Sequence, residues 1–241
     1  MINMNETIDI AKKFMEFFYT ANSPQKGKVL VVSKYAERTR VNICLLKFFL
    51  HEMKQKGIFI TIDRPHQYTA SLLTIHGISQ ENLVYIDAVS RISGETEANV
   101  SNVRFINGPY EMNFLDDITA ISFAGGAVKT KSIDLDEMNF ILIDDIAALT
   151  KYQEADGVKK MIHSYIDSIE RLNNITAPIV LDANQNRAIY EIIMNRCDRF
   201  LFINLSKSIF KEMNRPTHLK RKKVLMPKET SFAKPAATGG Y

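Results

Sequence analysis

At 241 residues the chain is long enough for one large domain or two small ones. Its composition, 46% hydrophobic and 24% charged with 14 Phe and 9 Tyr, excludes a disordered chain. No apolar run reaches about 18 residues, and the opening MINMNETIDIAKKFMEFFY lacks a basic segment followed by an apolar one, so we expect no membrane contact, no leader and a cytoplasmic protein.

The formal charge of +4 is unevenly spread. Residues 214–241 hold seven of the 31 Lys and Arg and one of the 27 Asp and Glu, a net +6 that leaves the rest of the chain at −2. With three prolines and a Gly-Gly near its end, this stretch reads as a flexible basic tail. Lys220, Arg221, Lys222 and Lys223 could meet nucleic-acid phosphates, though no aromatic platform or recognition helix accompanies them. Cys44 and Cys197 sit far apart in apolar surroundings and read as reduced core thiols.

In chain order, an amphipathic helix over about residues 6–20 puts Ile10, Phe14, Phe17 and Phe18 on one face, which suits packing against a core. We delimit this segment as 1–24, the main domain as 25–213 and the tail as 214–241. The first strand is Lys28–Val32. A helix over 39–56 follows, with Val41, Cys44, Leu45, Phe48, Phe49 and Met53 on one stripe and Gly57 as its stop. Strands are then expected at Ile58–Ile62 and Leu83–Ala88. Residues 90–137 are irregular, with a short strand VRFI, a helix from about Tyr110 to Phe123, and Gly125-Gly126. Beyond them come strand Phe140–Asp144, a helix over 157–172, strand Pro178–Asp182, a helix over 186–196 and strand Phe200–Asn204. Short, almost wholly apolar strands alternating with helices predict an α/β fold with a mostly parallel sheet covered on both faces.

Such sheets bind nucleotides at the carboxyl ends of their strands, where helix N-termini offer N–H groups to phosphate. The ten glycines supply neither G-x-x-x-x-G-K-[ST] nor G-x-G-x-x-G. After KVLVV the chain reads Ser33-Lys34-Tyr35-Ala36-Glu37-Arg38-Thr39-Arg40 and enters its strongest helix. The length matches a phosphate loop; the chemistry does not.

The succession VLVVSKYAERTRVNICLLKFFLHEMKQKG, IFITIDRP, GISQENLVYIDA, FINGPYEMNFLDDITAIS, MNFILIDDIAALTKY, ITAPIVLDANQ and CDRFLFINL resembles the RecA-like ATPase core of the KaiC family. It is most similar to the archaeal members assigned to signal transduction. The resemblance spans about residues 25–206 and is most specific in GPYEMNFLDDI and FILIDDIAALTKY. It implies a RecA-like three-layer sandwich, and self-association or pairing with a KaiC- or RecA-like paralogue. In that frame the first loop glycine falls on Ser33, the second on Arg38, the lysine on Thr39 and the hydroxyl residue on Arg40, so every one of these positions departs. The family's catalytic glutamate meets Asp63-Arg64-Pro65, and the Walker B position survives as Asp144, followed by Asp145.

Without the lysine and the hydroxyl, little remains to position a phosphoryl group or its Mg2+. The implied role is a non-hydrolysing regulatory or scaffold protein with no cofactor. Weak binding of ATP with Mg2+ and slow turnover is one alternative, and nucleic-acid binding through the tail is another. Any surviving ligand site would lie at Ser33, Lys34, Arg38, Thr39 and Arg40, where cations stand near N–H groups expected to be free. Asp144 and Asp145 are the candidate metal ligands; alternatively Asp144 braces the neighbouring strand and Asp145 begins a turn. Glu37 is expected near the phosphate position, where it could neutralise the cations. The five histidines are never spaced as a ligand pair.

Overall fold

Strands that are apolar on both faces need a layer of helices on each side, and this requirement shapes the computed structural model, which describes residues 4–20, 23–24, 26–94, 101–109, 135–172 and 174–213. In chain order the elements are helix α1 (Met4–Phe18), a minimal hairpin of β1 (Tyr19–Thr20) and β2 (Ser23–Pro24), β3 (Gly27–Val32), α2 (Arg38–Lys47), β4 (Gly57–Thr61), α3 (His66–Ile75), β5 (Leu83–Asp87) and β6 (Val103–Phe105). There follow β7 (Phe140–Ile143), α4 (Ala155–Arg171), β8 (Thr176–Leu181), α5 (Arg187–Arg196), β9 (Arg199–Asn204) and β10 (Ile209–Glu212). The helix expected from Tyr110 to Phe123, the Gly125-Gly126 pair and the basic tail lie outside the described residues.

Among the described residues eight strands form one sheet in the order β10-β9-β3-β8-β7-β4-β5-β6. Every pairing is parallel except β10 against β9. Side chains alternate between faces along each strand. Leu30, Ile58, Ile60, Ile141 and Ile179 pack with Ile162 and Ile166 of α4 and Ile189 and Ile193 of α5. Val29, Val31, Phe59, Leu142 and Val180 pack with α1, α2 and α3 on the other face. The sheet is therefore the middle of three layers.

Helix α1 belongs to this core: Phe14, Phe17 and Phe18 are buried, and Phe14 meets Phe48 at 5.5 Å between ring centroids. Burying each such ring contributes about 1.5–3 kcal/mol. Among the described residues no helix is long and apolar enough to cross a membrane.

The expected helix over 39–56 is shorter than its pattern. After Lys47 it widens into a π-helical turn, Phe48–Glu52, and Lys54 takes a left-handed conformation at φ 52°. The turn places both Phe48 and Phe49 in the core. Gly57 is not a helix stop but the first residue of β4, and it lies against the Phe140 ring, which stacks on Phe49 at 4.7 Å. Strand β8 starts at Thr176, two residues before Pro178; β7 is bridged to it at Thr176 and Ile179, on either side of the proline that cannot donate.

A side chain at Gly57 would overlap the buried Phe140 ring. We therefore expect Gly57→Ala to destabilise the protein by about 1–3 kcal/mol through overpacking, measured as a lower urea midpoint at unchanged slope. An unchanged midpoint would mean that the Phe49–Phe140 stack yields without cost.

Candidate functional site

Because the central strands run parallel, their carboxyl ends collect at one edge. Ser33 to Arg40 after β3, Ile62 to Pro65 after β4, Asp87 of β5, Asp144 and Asp145 after β7, and Asp182 after β8 all lie there. This is the edge at which open parallel sheets bind ligands.

The centre of the edge is an ion-pair cluster. Arg38, on the first turn of α2, is buried; its Nη2 donates to Asp63 Oδ2 at 3.1 Å and its Nη1 pairs with Asp145. Lys151 donates to the other oxygen of Asp63, and Arg64 Nε approaches Asp63 at 3.7 Å. The side chains of Arg38, Asp63 and Asp145 are 9%, 8% and 6% exposed, so solvent screens this charge poorly. Burial pushes the Asp145 carboxyl above its ordinary value, with Arg38 opposing it; the hydrogen bond to Asp63 raises Lys151. The outer face of Arg38 lies on the Tyr35 ring, 4.5 Å from Cζ to the centroid.

Asp144 performs a different task. Its carboxylate accepts the backbone N–H groups of Ile62 at 2.8 Å, Asp63 at 3.0 Å, Arg64 at 3.3 Å and Asp145 at 2.6 Å. It thereby holds the chain leaving β4 against the end of β7. Asp145 caps the following 3-10 turn, Ile146–Lys151, by accepting from Ala147 N–H at 3.0 Å. Among the described residues no group of three or more His, Cys, Asp or Glu side chains could hold a metal ion.

The loop expected to offer free N–H groups uses three of them internally. Tyr35 N–H donates to Asp182 at 2.8 Å, Glu37 N–H to the Lys34 carbonyl at 2.9 Å, and Arg38 N–H to the Tyr35 carbonyl. Ser33 is buried at the end of β3, Thr39 is half-buried, and Lys34 and Arg40 are exposed with no ion pair among the described residues. Glu37, expected to neutralise the cations, feels the charge of Lys34 but makes no ion pair among the described residues. Its carboxylate accepts the N–H groups of Leu205 and Ser206, each at 2.9 Å, and despite burial these donors hold it below the usual range. At this edge Asp144 is thus occupied by N–H donors, and the guanidinium of Arg38 is paired with Asp63 and Asp145.

A second buried constellation lies one strand away. Asp87 Oδ2 accepts from His66 N–H at 2.8 Å, from His66 Nδ1 at 2.7 Å and from Ser90 Oγ at 2.7 Å, while Oδ1 takes the N–H groups of Val89 and Ser90, both at 2.8 Å. Burial alone would raise this carboxyl; the donors of His66 and Ser90 outweigh it and hold Asp87 well below the usual carboxylate range. The pair fastens the start of α3 to the end of β5. Asp63, Lys151, Asp87 and His66 were not singled out as site residues from sequence, although each acidic one follows or ends an apolar strand run.

No protein-family model matches the chain, and no curated protein matches it. Solved structures do share its fold. A KaiC-like protein from the hyperthermophilic archaeon Pyrococcus horikoshii OT3 is 16% identical, with a TM-score of 0.51 over 74% of this chain and 73% of the other. An uncharacterized protein from Pyrococcus horikoshii, solved in complex with an unknown peptide, is 12% identical, with a TM-score of 0.58 over 78% of this chain and 82% of the other. The architecture is thus a KaiC/RecA-like α/β sandwich.

Two outcomes follow from the buried charges. Arg38→Met removes the cation paired with Asp145 and leaves Asp63 only Lys151 and Arg64, and should cost about 3–5 kcal/mol in urea unfolding. Asp63→Asn should cost less in the Arg38→Met background than alone; additive effects would deny the pairing. For Asp87 the folded pKa lies below the unfolded value near 3.9, so its stabilisation is complete above that pH and is lost as pH falls through the folded value. Stability measured downward from about pH 5 should fall, and Asp87→Asn should flatten that fall.

Proposed function

We propose that this chain is a KaiC-like protein that does not hydrolyse ATP and serves as a regulatory or scaffold subunit in signal transduction. The observation that supports the reading best is the position of Arg38. A buried guanidinium bridges Asp63 and Asp145 at the sheet edge where an active relative would place phosphate and metal. Phosphoryl transfer depends almost entirely on positioning and charge stabilisation, and in this loop Thr39 and Arg40 stand at the positions of the lysine and hydroxyl.

On this reading the fold serves assembly in the cytoplasm, either with itself or with a KaiC- or RecA-like paralogue. An active paralogue would supply the chemistry, and this chain would supply a rigid sheet edge whose charges are already balanced.

Nucleotide binding provides the test. A ligand held at 100 times its Kd stabilises a folded chain by about 2.7 kcal/mol, which for a protein of this size raises Tm by roughly 5–11 °C. ATP with Mg2+ should leave the Tm unchanged, and purified chain should release no phosphate above the blank. A Tm rise specific to ATP, or hydrolysis that disappears in Lys34→Ala and Arg40→Ala, would replace this reading with that of a divergent ATPase.

A further inference from the structure

Beside the ion-pair cluster, a cleft of about 20 Å3 lies between α2, α3 and the ends of β4 and β7. Its lining includes Arg38, Thr39, Asn42, Asp63, Thr69 and Asp144, with Phe59 and Ile43 as apolar wall. Asn42 is 5% exposed, and its Nδ2 donates to the backbone carbonyl of Asp144 at 2.8 Å. That contact fixes which way the amide points, because the flipped amide would set two carbonyl oxygens against each other. The consequence is an orphan: Asn42 Oδ1 is buried and has no hydrogen-bond partner among the described residues. Native interiors rarely leave such an acceptor unsatisfied, and an unmodified protein resolves the conflict with an ordered water wherever space and further polar partners exist.

Both conditions are met here. We propose that the cleft is a specific hydration site holding one ordered water, which donates to Asn42 Oδ1 and completes its bonding with the polar groups of Arg38, Asp63, Thr39 or Thr69. Roughly 10–15 Å3 accommodates one water, so the site is large enough for a single molecule.

The water would sit between three elements: helix α2, which carries Asn42, the chain leaving β4, which carries Asp63, and helix α3, which carries Thr69. It does not depend on whether nucleotide binds, so the two readings can fail separately.

A crystal structure of the full chain at a resolution that shows ordered solvent is the direct test, and water-to-amide magnetisation transfer at the Asn42 side chain in solution is the second. We expect a single density peak within hydrogen-bond distance of Asn42 Oδ1, together with a cross-peak whose sign reports a long-lived water. An empty cleft, an Asn42 amide turned onto a protein donor, density for a group larger than water, or no cross-peak at Asn42 would each overturn the proposal.

Discussion

The buried guanidinium of Arg38 constrains everything at the functional edge of the sheet. A charge taken out of water must be paired and fully hydrogen-bonded, or it costs several kcal/mol. Arg38 meets this demand by drawing Asp63 from the chain after β4 and Asp145 from the turn after β7 to the first turn of α2. Lys151 and, at 3.7 Å, Arg64 also approach Asp63, so both carboxylates face cations. The start of α2, the exit from β4 and the exit from β7 consequently share one geometry.

Asp144 supports the same arrangement without a side-chain cation. Its four N–H donors come from the chain leaving β4 and from its own successor, so a single carboxylate sets where Asp63 begins its approach to Arg38. Glu37 and Asp182 extend this device: one accepts the N–H groups that follow β9, the other the N–H of Tyr35. With Asp87 and Asp145, which also accept N–H groups, carboxylates thus bind backbone at five places along the edge. A loop stabilised in this way has no need of glycine, and its N–H groups at 35, 37 and 38 point to protein partners.

Beneath the edge, the two faces of the sheet are packed differently. The α4 and α5 side is mostly aliphatic, dominated by Ile. The α1, α2 and α3 side concentrates rings: Phe14, Phe18, Phe48 and Phe49 interlock, and Phe49 stacks on Phe140. The π turn at Phe48–Glu52 follows from this crowding, since it brings two successive aromatics inward from one helix. That face also sets the position of α2, and with it the height at which Arg38 enters the cluster.

The strands Lys28–Val32, Ile58–Ile62 and Phe140–Asp144 were legible because a buried parallel strand needs an uninterrupted apolar run, a property each segment carries alone. Their observed limits differ by one residue or so at the ends. Helix α3 was missed because HQYTASLLTI has a weak apolar stripe and starts after a proline, and β10 because three of its four residues are exposed. The α/β class, the alternation of elements and the absent phosphate-loop glycines were determined by the sequence itself, since local composition and periodicity decide them. The strand order, the burial of Arg38, the turning of Glu37 toward Leu205 and Ser206, and the pairing of His66 with Asp87 were decided only by the tertiary structure. Each joins groups that lie far apart in the chain, and a buried charge finds its partner through the arrangement of the sheet rather than through its neighbours in sequence.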